Sequence, residues 1–231
     1  MGVVQALAPA LLKNKDKNIQ NLTLQTYSYI IKSGIQGLKD RELHPYRQTL
    51  TKNGIVSKLI QILKDRNKDK SDNSEIIESL ACLFKSLLLP SEIKNDVINE
   101  LKLKDKYDFL ALLAECQDNH DAIMANDLEY QLFQFENKQK TIPSLRLTLQ
   151  LLRFGEESKK RKIALAVKWD MEILTDNKYL DKREGKLYST DVEKEQIKAK
   201  AQEGLAMIKA IIGDDEKTNE FETEKKKCFI Q

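Results

Sequence analysis

Apolar residues recur at three- and four-residue spacings along most of the chain, the periodicity of helices buried on one side. In residues 18–32, Ile19, Leu22, Thr23, Tyr27, Ile30 and Ile31 share a stripe, and Gly34 follows as a helix stop. Residues 55–64 place Ile55, Leu59, Ile62 and Leu63 on one side, with Asn53-Gly54 as the preceding turn. The next stretch, 65–74, has no apolar side chain and predicts a loop. Ser74 is positioned to cap a helix from Glu75 to Leu89, with Ile76, Leu80, Leu83, Phe84 and Leu87 as its stripe. Pro90 ends it, and Ser91 or Asn95 opens the next.

The pattern continues through 107–116, a polar break QDNHD, then 122–135 and 144–154 before Gly155. Further helices are expected near 159–174 and 190–212. The last opens on Thr190 and Glu193, spaced for a reciprocal capping box, and Gly213 stops it. Residues 214–231 mix acids and lysines with few apolar side chains and predict a disordered tail. Nowhere does the period of two expected of strands persist. Eight glycines and four prolines in 231 residues also supply too few turn formers for a many-stranded sandwich. The expected class is all-α.

Three short segments resemble one another: Leu7–Lys13, Leu59–Lys64 and Leu128–Phe135. Each is followed by a polar loop and another apolar helix. A helix pair with one apolar face cannot bury it alone, so stacked pairs sharing a continuous core are the natural solution. The run Asn53-Gly54-Ile55-Val56-Ser57-Lys58-Leu59-Ile60-Gln61-Ile62-Leu63 resembles the second helix of the armadillo family, with HEAT repeats as the close relative. Residues 112–128 similarly resemble a third-helix end, an Asp-Asn turn and a short first helix.

The resemblance covers about residues 1–155 and implies a right-handed α-solenoid of irregular armadillo-like repeats. Residues 156–213 would continue it as extra C-terminal helices, before the 214–231 tail. In this family a partner segment lies along the third helices. The matching positions here are Gln25 and Tyr29, Cys82 and Ser86, and Glu115, so Gln25, Tyr29, Ser86 and Glu115 are the candidate groove residues. Armadillo proteins that import nuclear cargo carry Trp and Asn ladders there. This chain does not, and its single tryptophan, Trp169, lies outside the matched region, which disfavours that role. Tyr27, Tyr29 and Tyr46 either line such a groove or fill the rim of the core. The chain opens on an apolar second-type helix without a first helix, which suggests a piece of a longer array or a partner at that end.

Composition narrows the chemistry. Lys and Arg number 39 against 36 Asp and Glu, a balance that makes nucleic acid an unlikely partner. The basic run Lys159-Lys160-Arg161-Lys162 has acidic neighbours in Glu156 and Glu157, and a solvated helix start is the simpler account. His44 and His120 are far apart in sequence, expected to be exposed or locally hydrogen-bonded, and no spacing of His, Cys and carboxylates suits a metal. No phosphate loop, nucleophile elbow or kinase signature occurs, so neither an enzyme nor a cofactor is expected. Three scattered cysteines, Cys82, Cys116 and Cys228, point to a reducing, cytoplasmic setting.

The last four residues, Cys228-Phe229-Ile230-Gln231, fit the Cys-aliphatic-aliphatic-X prenylation pattern, with Gln pointing to a farnesyl chain. Lys225, Lys226 and Lys227 would supply the second, electrostatic contact to an anionic membrane surface that one lipid chain needs. The preferred expectation is a non-enzymatic scaffold that binds a protein partner in a helical-repeat groove. A prenylated, membrane-recruited adaptor using Cys228, and a repeat region detached from a longer signalling protein, are the alternatives.

Overall fold

The computed structural model describes residues 2–69, 72–126, 128, 138–184, 188 and 190–213. The repeat-like segment Leu128–Phe135, the 214–231 tail, Lys225–Lys227 and Cys228 fall wholly or mostly outside the described residues. Helix makes up 76% of the structure and no strand forms among the described residues, so the chain is all-α. It divides into two compact units, Met1–Ile123 and Met124–Gln231.

The first unit begins with two short helices, α1 (Gly2–Ala6) and α2 (Ala8–Leu12), followed by the long α3 (Lys17–Ser33). Asp16 caps α3 by accepting from the Asn18 and Ile19 amides at 2.8 and 3.4 Å. Then come α4 (Arg47–Lys52), α5 (Ile55–Asp69), α6 (Ser74–Leu83), α7 (Ser91–Leu103), α8 (Tyr107–Ala114), a 3-10 turn at Gln117–Asn119 and α9 (His120–Met124). Helix α2 packs on α3, and from α4 to α8 each helix packs on the next. Across these pairs α3 packs on α6 and α6 on α8, while α2 packs on α5. Helix α6 is therefore central, and every residue from Ile76 to Leu83 is buried. Tyr27, Ile31, Leu59, Leu63, Ile93, Val97 and Leu110, on helices packed against it or beside it, are buried as well. The Tyr27 hydroxyl donates to the Val4 carbonyl at 2.6 Å, so a buried phenol finds its partner and fastens α1 to α3.

Several boundaries differ from the periodicity: the helix expected from residue 144 begins at Lys138, Ser74 opens the helix it was expected to cap, and two further differences lie in α5 and α6. The polar stretch predicted as a loop continues α5 to Asp69. Its side chains hold the extra turn: Arg66 donates to Asn21 at 2.9 Å and Asn67 to Asp96 at 2.9 Å, so polar bonds replace an apolar stripe. Helix α6 stops at Leu83 rather than Leu89, because Ser86 takes a left-handed conformation (φ 62°) and its amide turns to the Leu112 carbonyl at 3.2 Å. Buried Asn119 satisfies the unwound backbone, accepting from the Leu89 amide at 3.2 Å and donating to the Leu87 and Leu113 carbonyls at 2.9 and 3.0 Å.

The second unit contains three long helices, α10 (Lys138–Phe154), α11 (Glu157–Ile173) and α13 (Asp191–Ile212), each packed on the other two, with a short α12 (Asn177–Lys182) between α11 and α13. Leu145, Leu149, Leu152, Ile163, Val167, Met171, Ile197 and Ile208 form its core. Residue 155, the division suggested by the sequence, is the link between α10 and α11 within this bundle. Thr190 caps α13 by accepting from the Glu193 amide at 3.2 Å, the amide that the sequence assigned to it.

Candidate functional site

Helix α3 carries two different sides. Thr23, Leu24, Tyr27 and Ile31 face the core, and on the other side Ile19, Leu22, Gln25, Thr26 and Tyr29 form a second row at helical spacing. Leu22 is 67% exposed and Tyr29 is 72% exposed. Two of the predicted groove residues, Gln25 and Tyr29, therefore stand one turn apart on an open helix face. Gln25 also lines a polar cleft of about 310 Å³ with Asn21, Leu24, Arg66, Asp72 and Glu75. Arg66 spans it, reaching Asn21 at 2.9 Å and the Asp72 carbonyl at 3.4 Å. At the rim Lys104 and Ser74 hydrogen-bond Asp72, and hold its carboxyl well below the usual carboxylate range.

One turn beyond Tyr29, an ion triad crosses the α3–α6–α8 layer. Glu78 on α6 pairs with Lys32 of α3 at 2.8 Å through one oxygen and with Lys106, just before α8, at 2.9 Å through the other. Burial alone would raise the Glu78 pKa, but the hydrogen bonds from the two lysines outweigh it and the group ionises more readily than usual. Cys82, one turn further along α6, lies fully buried, and desolvation pushes its thiol up to about 12. That thiol is a small apolar filler rather than a nucleophile.

The structure brings the other two predicted residues together in a different way. Ser86 donates to Glu115 Oε2, and the same oxygen accepts from Lys85 Nζ at 2.6 Å and from the Arg41 amide at 2.7 Å. The Lys85 and Glu115 side chains are each 3% exposed. Lys85 also donates to the backbone carbonyls of Lys39 and Glu42 at 2.9 and 3.1 Å. Glu115 is thus engaged by internal donors, and the segment between α3 and α4 crosses over it. The signal for this in the sequence was slight: Lys85 falls in an apolar run, LFKSLLL, where a lone cation needs a buried counter-charge.

Both histidines are buried and hydrogen-bonded. His44 Nδ1 accepts from the Tyr46 amide at 3.2 Å, which makes Nε2 the protonated nitrogen and the donor to the Ile31 carbonyl at 2.8 Å. Desolvation lowers its pKa, with the Ile31 bond acting in the opposite sense. His120 Nε2 lies 2.6 Å from the Ala114 carbonyl. Among the described residues no group of three or more His, Cys, Asp and Glu side chains converges to hold a metal. Compared with family models, curated proteins and solved structures, the chain gives no match.

In the second unit the basic run opens α11, where Lys159 pairs with Glu156 at 3.3 Å and Lys160 approaches Glu157 at 3.8 Å. Trp169 is buried in the same helix. No described helix is long and apolar enough to cross a membrane.

Proposed function

We propose that this chain is a protein-binding scaffold of armadillo-like helical repeats, and that a partner segment lies on the open side of α3 and runs toward α6 and α8. The observation that carries this reading is the exposed row Leu22, Gln25 and Tyr29 on a helix whose opposite side is fully used by the core. An exposed tyrosine beside an exposed leucine offers a large amphipathic contact that loses little entropy when ordered, the usual material of interaction hot spots. The side-by-side order α3–α6–α8 supports the repeat reading. Lys32 and Lys106 flank the single carboxylate of Glu78, so this triad keeps one surplus positive charge, which favours a partner segment that places a carboxylate beside it.

The test is affinity capture by the full chain, with Tyr29→Ala and, as a control on α5, Gln61→Ala. A hot-spot tyrosine contributes about 2 kcal/mol, so Tyr29→Ala weakens the captured partner by roughly 30-fold. Gln61→Ala leaves it unchanged. Equal capture by both variants contradicts the assignment.

A second reading draws on Cys228-Phe229-Ile230-Gln231: a farnesylated tail would bring the same scaffold to an anionic membrane. The mass of the C-terminal peptide from a prenylation-competent cell decides it, through a lipidated terminus at Cys228 or an unmodified one at Gln231.

A further inference from the structure

The polar cleft beside α3 is lined by a cation and an anion, Arg66 and Glu75, that form no ion pair among the described residues. Arg66, near the end of α5, bonds only neutral oxygens there: Asn21 Oδ1 at 2.9 Å and the Asp72 carbonyl at 3.4 Å. A guanidinium carries more N–H donors than these two bonds use. Glu75 lies in the first turn of α6, and its carbonyl accepts from the Ser28 and Ser79 hydroxyls at 3.4 and 2.6 Å. Its carboxylate has no partner among the described residues. Asn21 and Gln25 add side-chain amides to the same wall. Because Asn21 accepts from Arg66 through Oδ1, its Nδ2 group is left as a donor. Asp72 does not enter the charge balance, since Lys104 neutralises it at 2.8 Å.

We propose that this cleft binds a free α-amino acid as its zwitterion, with the α-carboxylate on Arg66 and Asn21 and the α-ammonium on Glu75. The charges select that class. A purely anionic ligand meets the Glu75 carboxylate, a purely cationic one meets the Arg66 guanidinium, and each is penalised by the like charge. A small molecule that carries both signs satisfies both residues, and its carboxylate accepts charge-assisted bonds from the unused guanidinium donors. Size agrees: about 310 Å³ stands at the lower end of small-molecule sites, which run from roughly 300 to 1,000 Å³. The apolar residue of the lining, Leu24, is 3% exposed, whereas Gln25 offers a donor and an acceptor, so a polar side chain fits best. The inference does not depend on the protein-binding reading, with which it shares only Gln25.

The test is isothermal titration calorimetry of the full chain with L-glutamine, whose side-chain amide suits Gln25, followed by the other common L-amino acids. The expected result is saturable one-to-one binding of at least one of them, tighter than about 1 mM. For the amino acid that binds, the N-acetyl form lacks the ammonium and the α-amide lacks the carboxylate, and each binds at least tenfold more weakly. Glu75→Gln keeps the side-chain shape without the charge and weakens the zwitterion at least tenfold, with the helical circular dichroism unchanged. Absence of saturation by every amino acid overturns the proposal. So does a blocked form that binds within tenfold of the zwitterion, or unaltered affinity in Glu75→Gln. Should Glu75→Gln fail to fold, the blocked forms decide on the unaltered chain. The scaffold reading is scored separately by Tyr29→Ala, a residue that does not line the cleft.

Discussion

Gly34 and His44 are in contact: a methyl group placed on Gly34 would lie 2.7 Å from His44 Nε2 and 3.0 Å from Cε1. Gly34 adopts an ordinary right-handed conformation (φ −68°), so the glycine is required by the imidazole and not by the backbone. The ring fills the space left by the missing side chain and ties the end of α3, through Ile31, to the start of α4, through Tyr46.

Gly34→Ala therefore overpacks a buried site and is expected to destabilise the fold by about 1–3 kcal/mol. Combined with His44→Ala, the methyl group meets no ring and the two costs are less than additive. A double-mutant cycle by urea denaturation measures this, and strict additivity would show that the two residues are not coupled.

His44 gives the fold a pH dependence of definite sign. Its folded pKa lies below the ordinary 6.5 because burial disfavours the cation. The unfolded chain thus binds the extra proton first, and stability rises with pH through this window. Full stability holds above about pH 6.5 and is lost as pH falls from there through the folded pKa. His44→Gln keeps a donor for Ile31 without titrating, so its urea midpoint changes less than the wild type's between pH 7.5 and 5.5. Parallel curves would remove His44 from the account. Glu78, whose folded pKa is lowered on balance, adds a separate loss only below the ordinary 4.5.

The Lys85–Glu115 pair predicts an asymmetry between single and double substitutions. Lys85→Met leaves a carboxylate buried without its cation and costs about 3–5 kcal/mol. Lys85→Met with Glu115→Leu removes both charges and recovers part of that stability, because no uncompensated charge is left buried. Chemical denaturation of the three proteins measures it, and a double variant as unstable as the sum of the singles would contradict the account.

Cys82 is expected to resist alkylation in the folded chain. Its thiol is buried and raised to about 12, while Cys116 is half-buried and is modified first. Peptide-mapped iodoacetamide labelling at pH 8 distinguishes them, with Cys82 reacting only on unfolding. Comparable labelling of the two cysteines would mean that α6 opens locally.

Much of the helical framework was legible because apolar spacing reports directly on buried stripes. The bounds of α3 and α13, the Asp-Asn turn and the Thr190 cap followed from local rules, whereas Ser74, expected to cap α6, is its first residue and donates to Asp72 instead. The last turn of α5 was not legible, since it is held by Arg66 and Asn67 through partners distant in sequence. The early end of α6 was hidden for the same reason: the residue that satisfies the unwound backbone, Asn119, lies about thirty residues away. At the site, Gln25 and Tyr29 were singled out by the resemblance to armadillo third helices, whereas periodicity placed Ile19 and Leu22 on the buried stripe of α3 and both stand exposed beside them. The engagement of Glu115 by Lys85 and by the Arg41 amide could not, because it depends on a 74-residue separation that no spacing encodes.

The most direct test of the scaffold assignment is site-specific photocrosslinking of the full chain in cells, with benzoylphenylalanine at Tyr29 and, as a control, at Gln61. The account predicts a discrete adduct from Tyr29, mapping to a partner segment that carries a carboxylate, and its absence from Gln61. The same adducts from both positions, or none from Tyr29, would contradict it.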